Sequence, residues 1–127
     1  EGHPELKIVI AHMAQPRVRD ESDTAKWREW ERQIDLGLLP NVWFDTASVP
    51  AYVDGEDYPW PSSARFYKAA IGRIGAAKLM WGTDIPGMLS FGMYLQLRKT
   101  VEVNMSFLSE SDLAMVMGGN AENVFGL

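Results

Sequence analysis

The chain has 127 residues and a mass of 14.3 kDa, so it forms one domain at most, or part of one. Apolar residues make up 46% and charged residues 23%, a mixture that argues against a disordered or fibrous chain. The net charge of −5 argues against a nucleic-acid partner, because phosphate backbones select basic surfaces. No apolar run approaches the roughly 20 residues of a membrane-spanning helix.

The chain contains no cysteine, which excludes disulfides, thiolate metal ligands and cysteine nucleophiles. A reducing compartment suits such a chain, and we therefore expect it in the cytoplasm. No basic segment is followed by an apolar stretch, as a signal peptide would require. Because the sequence begins at Glu1 rather than at methionine, we expect an excerpt or a processed product.

The first predicted strand is the apolar segment Leu6–His12, which is rich in β-branched residues. This pattern is typical of a strand that is buried on both faces of a parallel sheet. The polar stretch Gln15–Thr24 predicts a loop, with Ser22 or Asp23 as the N-cap of the next helix.

An amphipathic helix is predicted over Thr24–Leu36. Trp27, Trp30 and Ile34 recur at spacings of three and four, so we expect them on the core face. Charged residues occupy the opposite face. Gly37 is the expected residue just past the helix end, where a left-handed conformation favours glycine.

The second predicted strand is Val42–Thr46, followed by a long proline-containing loop over Ser48–Ser63. Loops of this length are often functional. Ser62 or Ser63 is expected to begin a second helix, which Gly75 ends.

The third predicted strand is Lys78–Asp84, and a third helix is expected over roughly Phe91–Asn104. Ser109–Asp112 has the form of a capping box and predicts the start of a short helix. Gly118 and Gly119 are expected to break that helix, and Asn120 to open a last helical turn.

Strands and helices alternate along this chain, an order that predicts right-handed β-α-β units and a parallel sheet. The fold class is therefore α/β. Three such units cover both faces of a parallel sheet poorly. We expect the chain either to pair with another protein, such as a second copy of itself, or to be part of a larger α/β body.

Polar residues gather where the predicted strands end: His12 after the first, Asp45, Thr46 and Ser48 after the second, and Thr83 and Asp84 after the third. Ligands of parallel α/β folds bind at this edge. A histidine and an aspartate from neighbouring strand ends can hold a divalent cation or transfer a proton. The alternative is structural, with His12 hydrogen-bonded in a loop and Asp84 bonded to its own turn.

Two further groups could contact a substrate. Arg17 and Arg19 could bind a carboxylate through two parallel hydrogen bonds, or could belong to a solvated charged loop. Trp60, beside Tyr52 and Tyr58 in an exposed loop, could form the wall of a substrate pocket. The alternative for Trp60 is a loop that is packed by proline–aromatic contacts.

No complete metal-binding or phosphate-binding motif is present. The sequence has no H-x-H pair, no H-E-x-x-H helix and no second histidine near His12, although metal sites usually take three or more protein ligands. The P-loop, dinucleotide-binding and nucleophile-elbow patterns are also absent.

Four segments together resemble the C-terminal part of the amidohydrolase-related (amidohydrolase 2) family, whose members are metal-dependent (β/α)8 barrels. In order, they are Pro4–His12, Pro40–Asp45, Trp81–Pro86 and Gly118–Leu127. The order and spacing of these segments cover nearly the whole chain. The resemblance implies that residues 1–127 are the C-terminal segment of a single TIM-barrel domain, with barrel strands six to eight and the C-terminal helices.

The same resemblance implies roles for individual residues. His12 matches a strand-six histidine that acts in the metal site or in proton transfer, and Asp84 matches the strand-eight aspartate that binds the metal. Asn120 and Ala121 match a structural helix signature. The family's H-x-H pair and its strand-five histidine precede the region that the chain covers. The chain would therefore need the rest of the barrel as its partner.

The resemblance further implies an enzyme that uses a divalent ion, zinc in the first instance, to hydrolyse a lactone, ester or amide of a small carboxylic compound. The expected substrate contacts are Arg17, Asp45, Ser48 and Trp60. A second possibility is non-oxidative decarboxylation of an aromatic or related acid. A third, of another class, is a non-catalytic α/β fragment or interaction module.

Overall fold

The computed structural model describes residues 3–17, 22–53 and 55–127. Its centre is a three-stranded parallel sheet with the strand order β1-β2-β3. The strands are β1 (Ile8–Ile10), β2 (Val42–Asp45) and β3 (Leu79–Met80). Within the described residues, the predicted α/β class and parallel pairing are therefore confirmed.

The outer strands are shorter than predicted. Residues 11–14, which include His12, leave β1 in a tight turn, so the predicted end of the first strand was wrong. At β3 the backbone N–H of Trp81 donates to Val116 in the C-terminal helical region, at 2.8 Å, rather than to β2. This switch of partner ends the strand before Asp84.

Five α-helices lie along the described chain. The two longest before the third strand are α1 (Thr24–Ile34) and α2 (Ser63–Ile74). After it come α3 (Tyr94–Asn104), α4 (Glu110–Ala114) and α5 (Asn120–Phe125). The predicted loop after β2 contains one 3-10 turn, Val49–Tyr52.

Helix capping agrees in part with the sequence. The Asp23 side chain accepts a hydrogen bond from the Lys26 N–H at the start of α1, and Gly75 ends α2 with a φ of 80°. The prediction for Gly37 was wrong, because α1 continues into the 3-10 turn Asp35–Leu38. Gly37 is buried in that turn, where a Cβ atom would lie 2.7 Å from Ile74.

The prediction that Gly118 and Gly119 break the C-terminal helix was also wrong. One π-helical turn, Met115–Gly119, joins α4 directly to α5. Gly119 has helical angles, with φ −57° and ψ −37°. A Cβ atom there would lie 2.7 Å from the Met115 sulfur, so the absence of a side chain at Gly119 leaves room for the side chain of Met115.

An aromatic cluster joins α1 to α2 and anchors the loop after β1. The ring centroids of Trp27, Trp30 and Phe66 lie 5.1 to 5.6 Å apart. Trp30 is buried, as predicted, and its Nε1 donates to the Met13 carbonyl at 2.8 Å. The core therefore fixes the position of the turn that carries His12.

No helix among the described residues combines the length and apolar character needed to cross a membrane.

Candidate metal and catalytic site

The chain just beyond each strand carries one polar side chain to a common point. His12 follows β1, Ser48 follows β2 and Asp84 follows β3. His12 Nε2 lies 3.8 Å from Asp84 Oδ2, and the Ser48 hydroxyl donates to the same oxygen at 2.5 Å. The structure therefore brings together the two residues that the sequence singled out for catalysis.

All three residues have left-handed backbone conformations. The φ angles are 57° at His12, 60° at Ser48 and 54° at Asp84. A residue with a side chain is uncommon in this region, because Cβ crowds the following carbonyl at a cost of roughly 1–2 kcal/mol. Such strained residues cluster at functional sites, where the surrounding structure holds them in place.

Asp45 holds the turn that presents His12. Its Oδ1 accepts hydrogen bonds from the backbone N–H of His12 at 2.7 Å and from that of Ala47 at 3.0 Å. The carboxylate therefore joins the ends of β1 and β2 while His12 adopts its left-handed conformation.

His12 and Asp84 are partly exposed, whereas the residues that follow β2 are buried. The side chains of His12 and Asp84 are 24% and 44% exposed. Ser48 is only 6% exposed, and the neighbouring Thr46 is 2% exposed. Within this chain, His12 and Asp84 are therefore open to solvent, while Thr46 and Ser48 are packed in its interior.

His12 and Asp84 suit a shared divalent ion. Two donors that each lie about 2.1 Å from a tetrahedral zinc ion are roughly 3.4 Å from each other, close to the observed 3.8 Å. An imidazole and a carboxylate are both ordinary zinc ligands. In the part of the chain that the structure describes, no third histidine, aspartate or glutamate joins them to complete a metal cluster.

The predicted substrate contacts lie in different surroundings. Arg17 is exposed, its guanidinium donates to Gln15 at 2.8 Å, and it borders a surface cleft beside α1. Arg19 lies outside the described residues. The expected roles of Arg17, Asp45 and Ser48 towards a substrate stay predictions.

Trp60 does not lie in an exposed aromatic loop. It is 3% exposed, packs edge-on against Tyr58 at a centroid distance of 5.6 Å, and leaves no room for a side chain at Gly92. Burial of this indole removes a large apolar surface from water and so stabilises the loop. A direct role for Trp60 in substrate binding stays a prediction.

Tyr52, which the sequence indicated only as a neighbour of Trp60, lies near the site in the structure. Partial burial raises the pKa of its hydroxyl, the charges of Asp84 and Asp45 add to the rise, and Arg17 lowers the pKa. Tyr52 therefore lies within electrostatic reach of all three charges. Its position in the segment directly after β2 was the signal that could have identified it.

A sequence model of the amidohydrolase family matches residues 1–127, the whole chain. Among solved structures, an amidohydrolase from Burkholderia multivorans with bound HEPES matches 99% of this chain, with a TM-score of 0.86 and 23% identity. An amidohydrolase from the same organism with bound zinc gives a TM-score of 0.83, also at 23% identity and over 99% of this chain. This chain spans 46% of the length of each of these two proteins.

Two further structures share the fold. A probable 2-pyrone-4,6-dicarboxylic acid hydrolase from Acinetobacter baumannii, with citric acid bound, has a TM-score of 0.72 and 15% identity; the match covers 95% of this chain and 44% of that protein. A dihydroxybenzoic acid decarboxylase from Polaromonas, with manganese and an inhibitor bound, has a TM-score of 0.58 and 22% identity, with coverages of 99% and 35%. These structures share the fold of the chain, and the family match over its whole length shows that it belongs to the amidohydrolase family.

Proposed function

We propose that this chain is the C-terminal part of a metal-dependent (β/α)8 barrel hydrolase, in which β1, β2 and β3 are barrel strands six, seven and eight. The match to less than half of larger amidohydrolases supports this placement. The observation that carries the proposal is the approach of His12 Nε2 to Asp84 Oδ2, 3.8 Å apart, beyond the carboxyl ends of parallel strands.

His12 and Asp84 are the residues of this chain that would hold the ion, with zinc the first candidate. A divalent ion supplies an activated water and polarises the scissile carbonyl when it is bound. The Asp84 carboxylate would also accept the proton that the attacking water loses. His12 would orient the substrate or protonate the leaving group.

The proposed substrate is a lactone, ester or amide of a small carboxylic compound. Arg17 is the charged group suited to the substrate carboxylate, because a guanidinium can form two parallel hydrogen bonds with it. Tyr52 offers a further hydrogen-bond donor, because a tyrosine hydroxyl is protonated near neutral pH and partial burial raises its pKa further. Asp45, Ser48 and Trp60 are the other predicted contacts, although the low exposure of Trp60 does not favour it.

Non-oxidative decarboxylation is the second candidate, and the shared fold of the Polaromonas decarboxylase favours it. In that reaction the ion would bind the carboxylate and a neighbouring oxygen of the substrate, and His12 would protonate the ring carbon. The same pair of residues therefore serves either reaction.

A panel of lactones and aromatic acids, incubated with the native polypeptide that contains these residues, separates the candidates. Release of acid without CO2 indicates hydrolysis, and release of CO2 indicates decarboxylation. Asp84→Asn should lower turnover by about 10²- to 10⁴-fold, the usual contribution of a general acid or base, with the melting temperature retained. Asp35→Asn, in the turn after α1, is the control variant that should keep full activity.

Retained activity in Asp84→Asn would contradict the assignment of this residue. A wild-type protein that binds no divalent ion and turns over no member of the panel would favour the non-catalytic module.

A further inference from the structure

The hydroxyl of Ser48 has a specific partner. β2 is the central strand of the sheet, so the segment that follows it lies between the residues that leave β1 and β3. From that position Ser48 donates to Asp84 Oδ2 at 2.5 Å. This contact links two segments that lie 36 residues apart in the sequence.

The backbone at position 48 favours glycine rather than serine. Its φ is 60°, and a Cβ atom in this region costs roughly 1–2 kcal/mol. Glycine adopts the same angles freely. The left-handed backbone of Ser48 therefore costs free energy that glycine would not cost. The one hydrogen bond that the Ser48 hydroxyl donates goes to Asp84.

The hydrogen bond restricts a torsion that is otherwise loose. The terminal torsion of aspartate has a broad, roughly two-fold distribution, and the Asp84 side chain is 44% exposed. Ser48 is 6% exposed and cannot move out to solvent without leaving its packed site. Its hydroxyl therefore restrains the Asp84 oxygen that faces His12.

We infer that Ser48 is a positioning residue, which orients the Asp84 carboxylate towards the ion and the substrate rather than binding the substrate itself. This inference rests on the proposed function. Hydrogen-bond partners of metal ligands fix ligand orientation, and their loss typically lowers metal affinity or activity by about 10- to 100-fold.

The informative variant is Ser48→Gly in the native polypeptide, because it removes the hydroxyl and also relieves the backbone. We expect a melting temperature close to that of the wild type, because the relieved backbone offsets the lost hydrogen bond. We expect Zn²⁺ affinity, measured by competition with a chelator, to fall about 10- to 100-fold. With zinc saturating, kcat should fall and KM should stay within about twofold.

Two companion variants complete the test. Ser48→Asn keeps a side-chain donor and tolerates a left-handed backbone, so it should recover part of the lost Zn²⁺ affinity. Ser106→Gly, an exposed serine after α3, is the matched control and should leave Zn²⁺ affinity, kcat and KM unchanged.

The possible failures are distinguishable. If the wild type binds Zn²⁺ and turns over, and Ser48→Gly equals it in both, the positioning role is wrong while the proposed function stands. A rise in KM alone would make Ser48 a substrate contact and overturn the inference. A wild type that neither binds Zn²⁺ nor turns over would overturn the proposed function and the inference together.

Discussion

Asn120 attaches the C-terminal helices to the sheet, and its replacement by alanine should destabilise the protein measurably. The side chain is 3% exposed. Its amide nitrogen donates to the carbonyl of Ala76 at 2.9 Å and to that of Leu79, in β3, at 2.7 Å. Each net hydrogen bond contributes roughly 0.5–1.5 kcal/mol, so Asn120→Ala should lower the free energy of unfolding by about 1–3 kcal/mol.

The matched control for this variant is Asn123→Ala, which makes the same replacement at an exposed position of the same helix. It should change the free energy of unfolding by no more than about 0.5 kcal/mol. Urea titration of the native polypeptide and both variants, followed by circular dichroism, measures the difference. Equal midpoints for Asn120→Ala and Asn123→Ala would refute the structural role of Asn120.

Further variants test the packing around Gly37 and the ion pair between Asp35 and Arg73. Gly37→Ala should lower the free energy of unfolding by about 1–3 kcal/mol through overpacking, because the new methyl group would lie 2.7 Å from Ile74. Gly72→Ala, in α2, is the control: its methyl group would meet no atom within 4 Å and should not lower the free energy of unfolding. The hydrogen bond from Arg73, with a smaller Coulombic contribution, lowers the pKa of Asp35. The ion pair of Asp35 with Arg73 therefore stabilises the folded protein above the ordinary pKa of an aspartate. This contribution is lost as the pH falls through the lowered pKa. Asp35→Asn should therefore lower the melting temperature at pH 7, and the difference should vanish in strong acid; a difference that persists there would contradict the ion pair.

The order of the secondary-structure elements was predictable because each element follows from the pattern of apolar and polar residues in its own segment. Apolar segments alternate with amphipathic ones, and the resulting β-α-β order predicts a parallel sheet. That sheet places His12 and Asp84 at one edge, so their approach followed from topology without any contact being known in advance. Of the two interpretations of Trp60, the exposed loop was wrong and the packed loop is confirmed, since the indole is buried in the core.

The finer geometry depends on contacts between distant segments. His12, Ser48 and Asp84 all have left-handed angles, which are uncommon for residues other than glycine. Hydrogen bonds between distant segments hold the backbone of His12 to Asp45 and the carboxylate of Asp84 to Ser48. Glycine likewise permits both a helix break and a helical turn. In this chain the backbone of Gly119 is helical, and the Met115 side chain lies where a Cβ atom would be.

The most direct test of the central claim is a crystal structure of the native polypeptide grown with zinc and measured at the zinc absorption edge. We expect an anomalous peak within about 2.0–2.2 Å of both an Asp84 carboxylate oxygen and His12 Nε2. The Asp84→Asn protein, crystallised in the same way, should show a much weaker peak. A fully occupied zinc ion that contacts neither residue would contradict a metal site at His12 and Asp84.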